Sequence, residues 1–119
     1  MAKSSLEFYQ NGNNGKIDID WYGNDNGGNE VFNQAEIALN LIDNALIVAR
    51  FAPSTGSTCL RMILNITREA QSLGVETRVV LPKKGQYNAA QATGFDRLFK
   101  VFPTEEEAID DFNLDPVAA

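Results

Sequence analysis

Residues 45–81 constrain the fold of this chain more than any other stretch. An apolar run, Ala45-Leu-Ile-Val-Ala-Arg-Phe51, stops at Ala52-Pro-Ser-Thr-Gly-Ser57, and a second apolar run closes the stretch from Val75 to Leu81. Between them Cys59, Leu60, Met62, Ile63, Ile66, Ala70 and Leu73 recur at helical spacing, with Arg61, Asn65, Arg68 and Glu69 on the other side. Gly74 follows where a helix ends in a left-handed residue. Short β-rich runs, a Pro/Ser/Gly break and a 3.6-residue period together describe a strand-loop-helix-strand unit. Such a crossover leaves its two strands parallel, so the core is a parallel or mixed sheet with helices packed on it.

The loop inside that unit carries Ser54, Thr55 and Ser57 beside Gly56. It lies where a helix N-terminus leaves backbone N–H groups unpaired. A hydroxyl there either caps the helix or is presented for modification. A third use, Pro53-Ser-Thr-Gly-Ser-Thr58 as a phosphate or nucleotide cradle, lacks the lysine that follows the glycine of a P-loop.

Composition narrows the chemistry. The chain of 119 residues contains no histidine, which removes the usual general base and the commonest metal ligand. With Cys59 as the single cysteine, no internal disulfide, Ser-His-Asp triad or zinc-type site can be built. No metal, cofactor or catalytic residue is expected, and a binding module is favoured over an enzyme. A formal charge of −6 argues against a nucleic-acid partner. Glu105, Glu106, Glu107, Asp110, Asp111 and Asp115 account for that excess, as a solvated helix face or as a docking surface for a basic partner. No apolar run approaches the roughly 20 residues of a membrane span, and the N-terminus lacks the apolar region of a secretory signal. These features suggest a cytoplasmic protein.

The flanks complete the plan. Leu6–Tyr9 reads as a strand, Gln10–Gly15 as a turn, and Lys16–Tyr22 as a strand with Ile17, Ile19 and Trp21 on one face and Asp18 and Asp20 on the other. Gly23–Asn29 reads as a loop whose three glycines lack the fingerprint of a phosphate loop. Asn29 or a neighbour is expected to cap a helix that uses Val31, Phe32, Ala35, Leu39 and Ile42 and ends near Asp43-Asn44. Pro82–Gly85 is a basic turn, Gln86–Ala92 a short helix, Phe95–Phe99 a turn and Val101-Phe102 an edge strand. Asp96 and Arg97 would fix that turn by a cap or salt bridge. Thr104-Glu-Glu-Glu107 opens the last helix as a capping box, with Ala108, Ile109 and Phe112 inward. Cys59 is a buried thiol, and Trp21 and Tyr22 are packing residues or a binding anchor. The fold class is α/β, one domain over 1–119 with a four- to five-stranded mixed sheet, three to four helices, and frayed ends at 1–5 and 113–119.

Two segments carry a family resemblance. Thr93-Gly-Phe-Asp-Arg-Leu-Phe99 followed by Val101-Phe-Pro-Thr-Glu-Glu-Glu-Ala108 resembles the ending of STAS domains, the anti-sigma-factor antagonist family, and the 45–81 unit is similar to that family's central β-α-β. Residues 1–44 fit only by element order. The resemblance implies a bacterial signal-transduction protein that docks an anti-sigma-factor or serine-kinase-type partner as a monomer or weak dimer. Matched onto the family's loop, Ser54, Thr55 and Gly56 fall on its Ser-Ser/Thr-Gly. That makes Ser54 the candidate phospho-acceptor and Pro53, Ser54, Thr55, Gly56 and Ser57 the partner or phosphate loop. Pro53 stands where the family has an acidic residue, and Ser57 where it has an apolar one. The alternative implied is a STAS-like subunit of a signalling or transport assembly without phosphoregulation.

Overall fold

A computed structural model describes residues 3–23, 25–83 and 85–112, with backbone only for 25–29 and Pro53. The expected fraying of 113–119 and the Lys84 part of the basic turn lie outside the described residues. Strands β1 (Ser5–Asn11), β2 (Asn14–Trp21), β3 (Asn44–Phe51), β4 (Glu76–Val80) and β5 (Val101–Phe102) form one sheet in the order β1-β2-β3-β4-β5. The first pair is antiparallel and the rest are parallel. Helices α1 (Asp25–Leu39), α2 (Gly56–Ser72), α3 (Gln86–Ala92) and α4 (Glu105–Phe112) alternate with the strands.

The hairpin closes tightly because Asn11 pairs with Asn14, leaving Gly12 and Asn13 to turn, and Gly12 takes φ 61. Such left-handed backbone suits a residue without Cβ. β2 then runs parallel to β3 without a slip, from Asn14↔Asn44 to Trp21↔Phe51. The neighbouring β3 and β4 required by the crossover pair from Asn44↔Glu76 to Val48↔Val80.

Strand order decides where the helices go. The parallel strands advance in one direction across the sheet, and crossovers share one hand, so α1, α2 and α3 must share one face. The main core lies there. Ile17, Ile19, Val31, Ile47, Ile63, Ile66 and Val79 are each fully buried within it. The other face would leave Leu46, Val48 and Val80 in water, and α4 covers them with Ala108, Ile109 and Phe112.

Three expectations shift. α1 starts at Asp25, a turn earlier than an Asn29 cap allows, so most of the glycine-rich loop is already helical. It also ends earlier, at Leu39, and residues 40–43 form a turn tied down by Asp43 N–H donating to Asn13 O at 2.7 Å. Ile42 is still buried, from the turn rather than from the helix. At the N-terminus Ser5 already belongs to β1, and buried Ser4 accepts a bond from Tyr22 N–H at 2.8 Å.

Candidate functional site

In an open α/β sheet the loops after the carboxyl ends of parallel strands converge, and ligands and partners gather there. Here the ends of β2, β3 and β4 bring together residues 21–23, 52–58, 81–83 and 85–86. Trp21 Nε1 donates to Thr58 Oγ1 at 3.1 Å. Gln86 Nε2 donates to Phe51 O, which ties the start of α3 to the end of β3. Gly23, at φ 87, lies so close to Thr55 that a Cβ there would come within 2.3 Å of Thr55 Cγ2.

The hydroxyl loop is a single 3-10 turn, Pro53–Thr55, leading straight into α2. Thr55 N–H donates to Ala52 O at 2.9 Å, and its hydroxyl donates to the same oxygen at 3.0 Å. Thr58 Oγ1 donates back to Thr55 O at 2.9 Å. Both threonines are thereby committed to holding the turn. Gly56 lets the helix start press on Phe51, because a Cβ there would stand 3.1 Å from the ring. Ser54 and Ser57 are exposed.

Thr55 is the N-cap of α2, and it makes no side-chain capping bond. Of the two uses left open for the loop hydroxyls, capping is therefore not the one Thr55 performs, and Ser54 stands one position before the cap. The helix begins with N–H groups that face the loop without a side-chain acceptor from the cap residue.

The remaining candidates sort by burial. Cys59 is buried in the core, where desolvation pushes its thiol far up from the ordinary value, so it is inert packing. Trp21 is also core, whereas Tyr22 is 53% exposed beside the loop cluster. Asp96 and Arg97 are exposed, and neither joins an ion pair among the described residues. Their turn is instead fixed by Gly94 at φ 82 and by Phe95 packed against Phe99, ring centroids 6.1 Å apart. The acidic stretch is not simply solvated: Glu105 meets Lys16 at 2.9 Å, and Asp111 pairs with Arg78 and with Lys100. Glu106, Glu107 and Asp110 remain exposed. Among the described residues no group of three or more Cys, Asp or Glu is placed to hold a metal ion, and no helix is long and apolar enough to cross a membrane.

Sequence reasoning missed Gln86 and Gly23. Gln86 looked like any polar residue of a short helix, and Gly23 like one glycine among three. Nothing local marks either, because their partners are 35 and 32 positions away, at Phe51 and Thr55.

The STAS domain family matches residues 44–108, more than half of the chain. No curated protein matches by sequence. Among solved structures the chain is similar to the anti-sigma factor antagonist SpoIIAA in its unphosphorylated form, at 16% identity and TM-score 0.63 over 92% of this chain and 96% of that one. The phosphorylated form of the Bacillus cell fate determinant SpoIIAA gives 15% identity and TM-score 0.57 over 91% and 99%. An anti-sigma factor antagonist from Mycobacterium paratuberculosis gives 13% and 0.68 over 94% and 96%. At these identities the likeness is one of fold.

Proposed function

Because the chain belongs to the STAS domain family, we propose that it is a regulatory binding protein of the anti-sigma-factor antagonist type. It docks an anti-sigma-factor or serine-kinase-type protein through the loop end of the sheet, and phosphorylation of Ser54 switches that docking. It works as a bacterial cytoplasmic signalling module, monomeric or weakly dimeric, and not as an enzyme.

The observation that carries this reading is the placement of Ser54. Its side chain is exposed on a 3-10 turn, one residue before a helix N-cap that makes no side-chain capping bond. The kinase partner transfers the terminal phosphoryl group of its nucleotide to Ser54 Oγ, and the hydroxyl proton leaves to a base on the partner. The phosphate then sits against the positive end of the α2 dipole, so the loop need not unfold to hold it. It adds close to two negative charges at the centre of the docking face, which repels an acidic partner. Thr55, Gly56 and Ser57 complete the contact loop. Pro53, in place of an acidic residue, brings no carboxylate to the transfer and favours a second reading, a STAS subunit that docks its partner without phosphoregulation.

Intact mass of the native protein, with partner capture by the Ser54→Ala and Ser54→Asp variants, tests both. The switch predicts a phosphate on the native chain, Ala binding like wild type, and Asp weaker by about tenfold or more. Equal partner affinity for Ala and Asp overturns the switch and leaves the docking reading alone.

A further inference from the structure

The two edges of the sheet are finished differently. β5, at one end of the strand order, is only two residues long, Val101–Phe102, with Lys100 before it and Pro103 after it. Short strands, lysine and proline are usual ways in which a fold blunts an edge against pairing with another chain. β1, at the other end, has none of them. It runs seven residues, Ser5–Asn11, without proline, lysine or arginine, and its register with β2 passes from Ser5↔Asp20 to Asn11↔Asn14 with no bulge. Its outer row of backbone N–H and C=O groups faces no strand among the described residues.

An apolar strip runs along that bare edge. Among the described residues five large hydrophobic side chains are exposed, and two of them, Ile37 at 67% and Leu41 at 54%, lie together beside Leu6 and Phe8 of β1. Gln10 fixes the arrangement, because its Nε2 donates to Leu41 O at 3.1 Å and to Gly12 O at 3.0 Å. Scattered exposed hydrophobics need no explanation, but a cluster continuous with an unpaired strand marks an interaction surface. A row of alternating donors and acceptors is satisfied by another extended strand, so the edge itself states what covers it.

We propose that β1 pairs with β1 of a second copy of this chain, antiparallel about a two-fold axis through Phe8, joining two five-stranded sheets into one. The strand is suited to pairing with itself, as a two-fold interface requires. With Phe8 on the axis all seven residues find partners: Ser5 stands opposite Asn11, Leu6 opposite Gln10 and Glu7 opposite Tyr9. Glu7 is the only charge on the strand, and this register sets it against a phenol rather than a second carboxylate. The Tyr9 hydroxyl already donates to Glu7 within the chain. Like charges directly opposite would be destabilising. Ile37 and Leu41 flank the seam on the α1 side, so each copy covers the other's apolar strip. Ser54 follows β3, two strands in from the edge, so both docking loops stay free and the dimer presents two of them to a partner. The pairing does not rest on Ser54 phosphorylation.

The test is sedimentation equilibrium of the full chain over a rising concentration series, with amide exchange measured by NMR at its two extremes. A reversible monomer–dimer equilibrium is expected, with exchange slowed by dimerisation at alternate amides of β1 and unchanged in β5. Ile37→Lys and Leu41→Lys each place a charge at an exposed position beside the seam. Each should weaken the dimer by about tenfold or more while leaving exchange in β3 and β4 as it was. Ser54→Asp should leave the dimer unchanged. A chain that is monomeric at every concentration overturns the proposal and leaves the edge to a strand of another protein. A dimer that tolerates both lysines, that is lost in Ser54→Asp, or whose protection falls outside β1 overturns it as well.

Discussion

Ile63 shows how one residue carries the fold. It is fully buried at the middle of the apolar stripe of α2 and packs in the main core. Replacing it with alanine removes buried methyl and methylene groups from a site that can collapse only partly. Ile63→Ala is expected to lower unfolding stability in urea by roughly 2–4 kcal/mol. A loss below about 0.5 kcal/mol, the size of an ordinary surface change, would place the stripe against solvent or a partner. Gly23 carries a different constraint at the same scale. Its positive φ and the 2.3 Å approach of Thr55 Cγ2 to any added Cβ leave no room for a side chain where two loops of the site meet.

Among the elements, α4 is the most informative, because an eight-residue helix is too short to be stable by itself. Three devices hold it. Thr104 Oγ1 accepts from Glu107 N–H at 3.2 Å, which is half of the anticipated capping box. Ala108 is fully buried in the smaller core. Ion pairs fasten the helix at both ends: Glu105 on Lys16, and Asp111 on Arg78, whose guanidinium also lies 4.5 Å from the Phe112 ring. Thr104→Ala should cost about 1 kcal/mol, visible as faster amide exchange confined to 104–112; unchanged exchange there would refute the cap.

The bond from Arg78, aided by Lys100, holds the Asp111 carboxyl below the usual carboxylate range against a smaller opposing effect of burial. A group lowered on folding contributes stability above its unfolded pKa, about 3.9 for Asp. That contribution fades as pH falls through the lowered folded value. Protection of α4 should therefore decline on acidification below about pH 4, and Asp111→Asn should weaken that pH dependence. An acid response identical in the Asn variant would show that Asp111 does not fasten the helix.

Taken whole, the molecule has two cores that share their strands. Ile47, Ala49 and Val79 face the main core, while Leu46, Val48 and Val80 face the smaller one under α4. The two cores are coupled through β3 and β4, because losing either strand dismantles both. Urea unfolding is therefore expected to be a single transition, with fluorescence of the single tryptophan, Trp21, and far-ultraviolet circular dichroism superimposing. A dichroism change that precedes the Trp21 signal would mean that α4 and its core separate first.

The periodicity of residues 45–81, the alternation of Ile17, Ile19 and Trp21, and Gly74 ending α2 at φ 76 were legible in the sequence, because each is a local consequence of side-chain spacing or backbone freedom. So was the cap at Thr104, whose partner is three residues away. The start of α1 was misjudged because glycine and asparagine signal loops locally, and tertiary packing can override that propensity. What only the tertiary structure decided is which distant groups meet. Asp111 reads in sequence as part of a solvated helix face or docking surface until α4 is seen folded across the sheet, and whether a loop hydroxyl caps or is presented stays open until Thr55 and Thr58 are seen engaged and Ser54 exposed. Gln86 meets Phe51 only because the start of α3 packs against the end of β3. Spacing along a chain fixes which face a residue takes, but long-range hydrogen bonds and ion pairs depend on how elements pack in space, and that information is not local to any window of sequence.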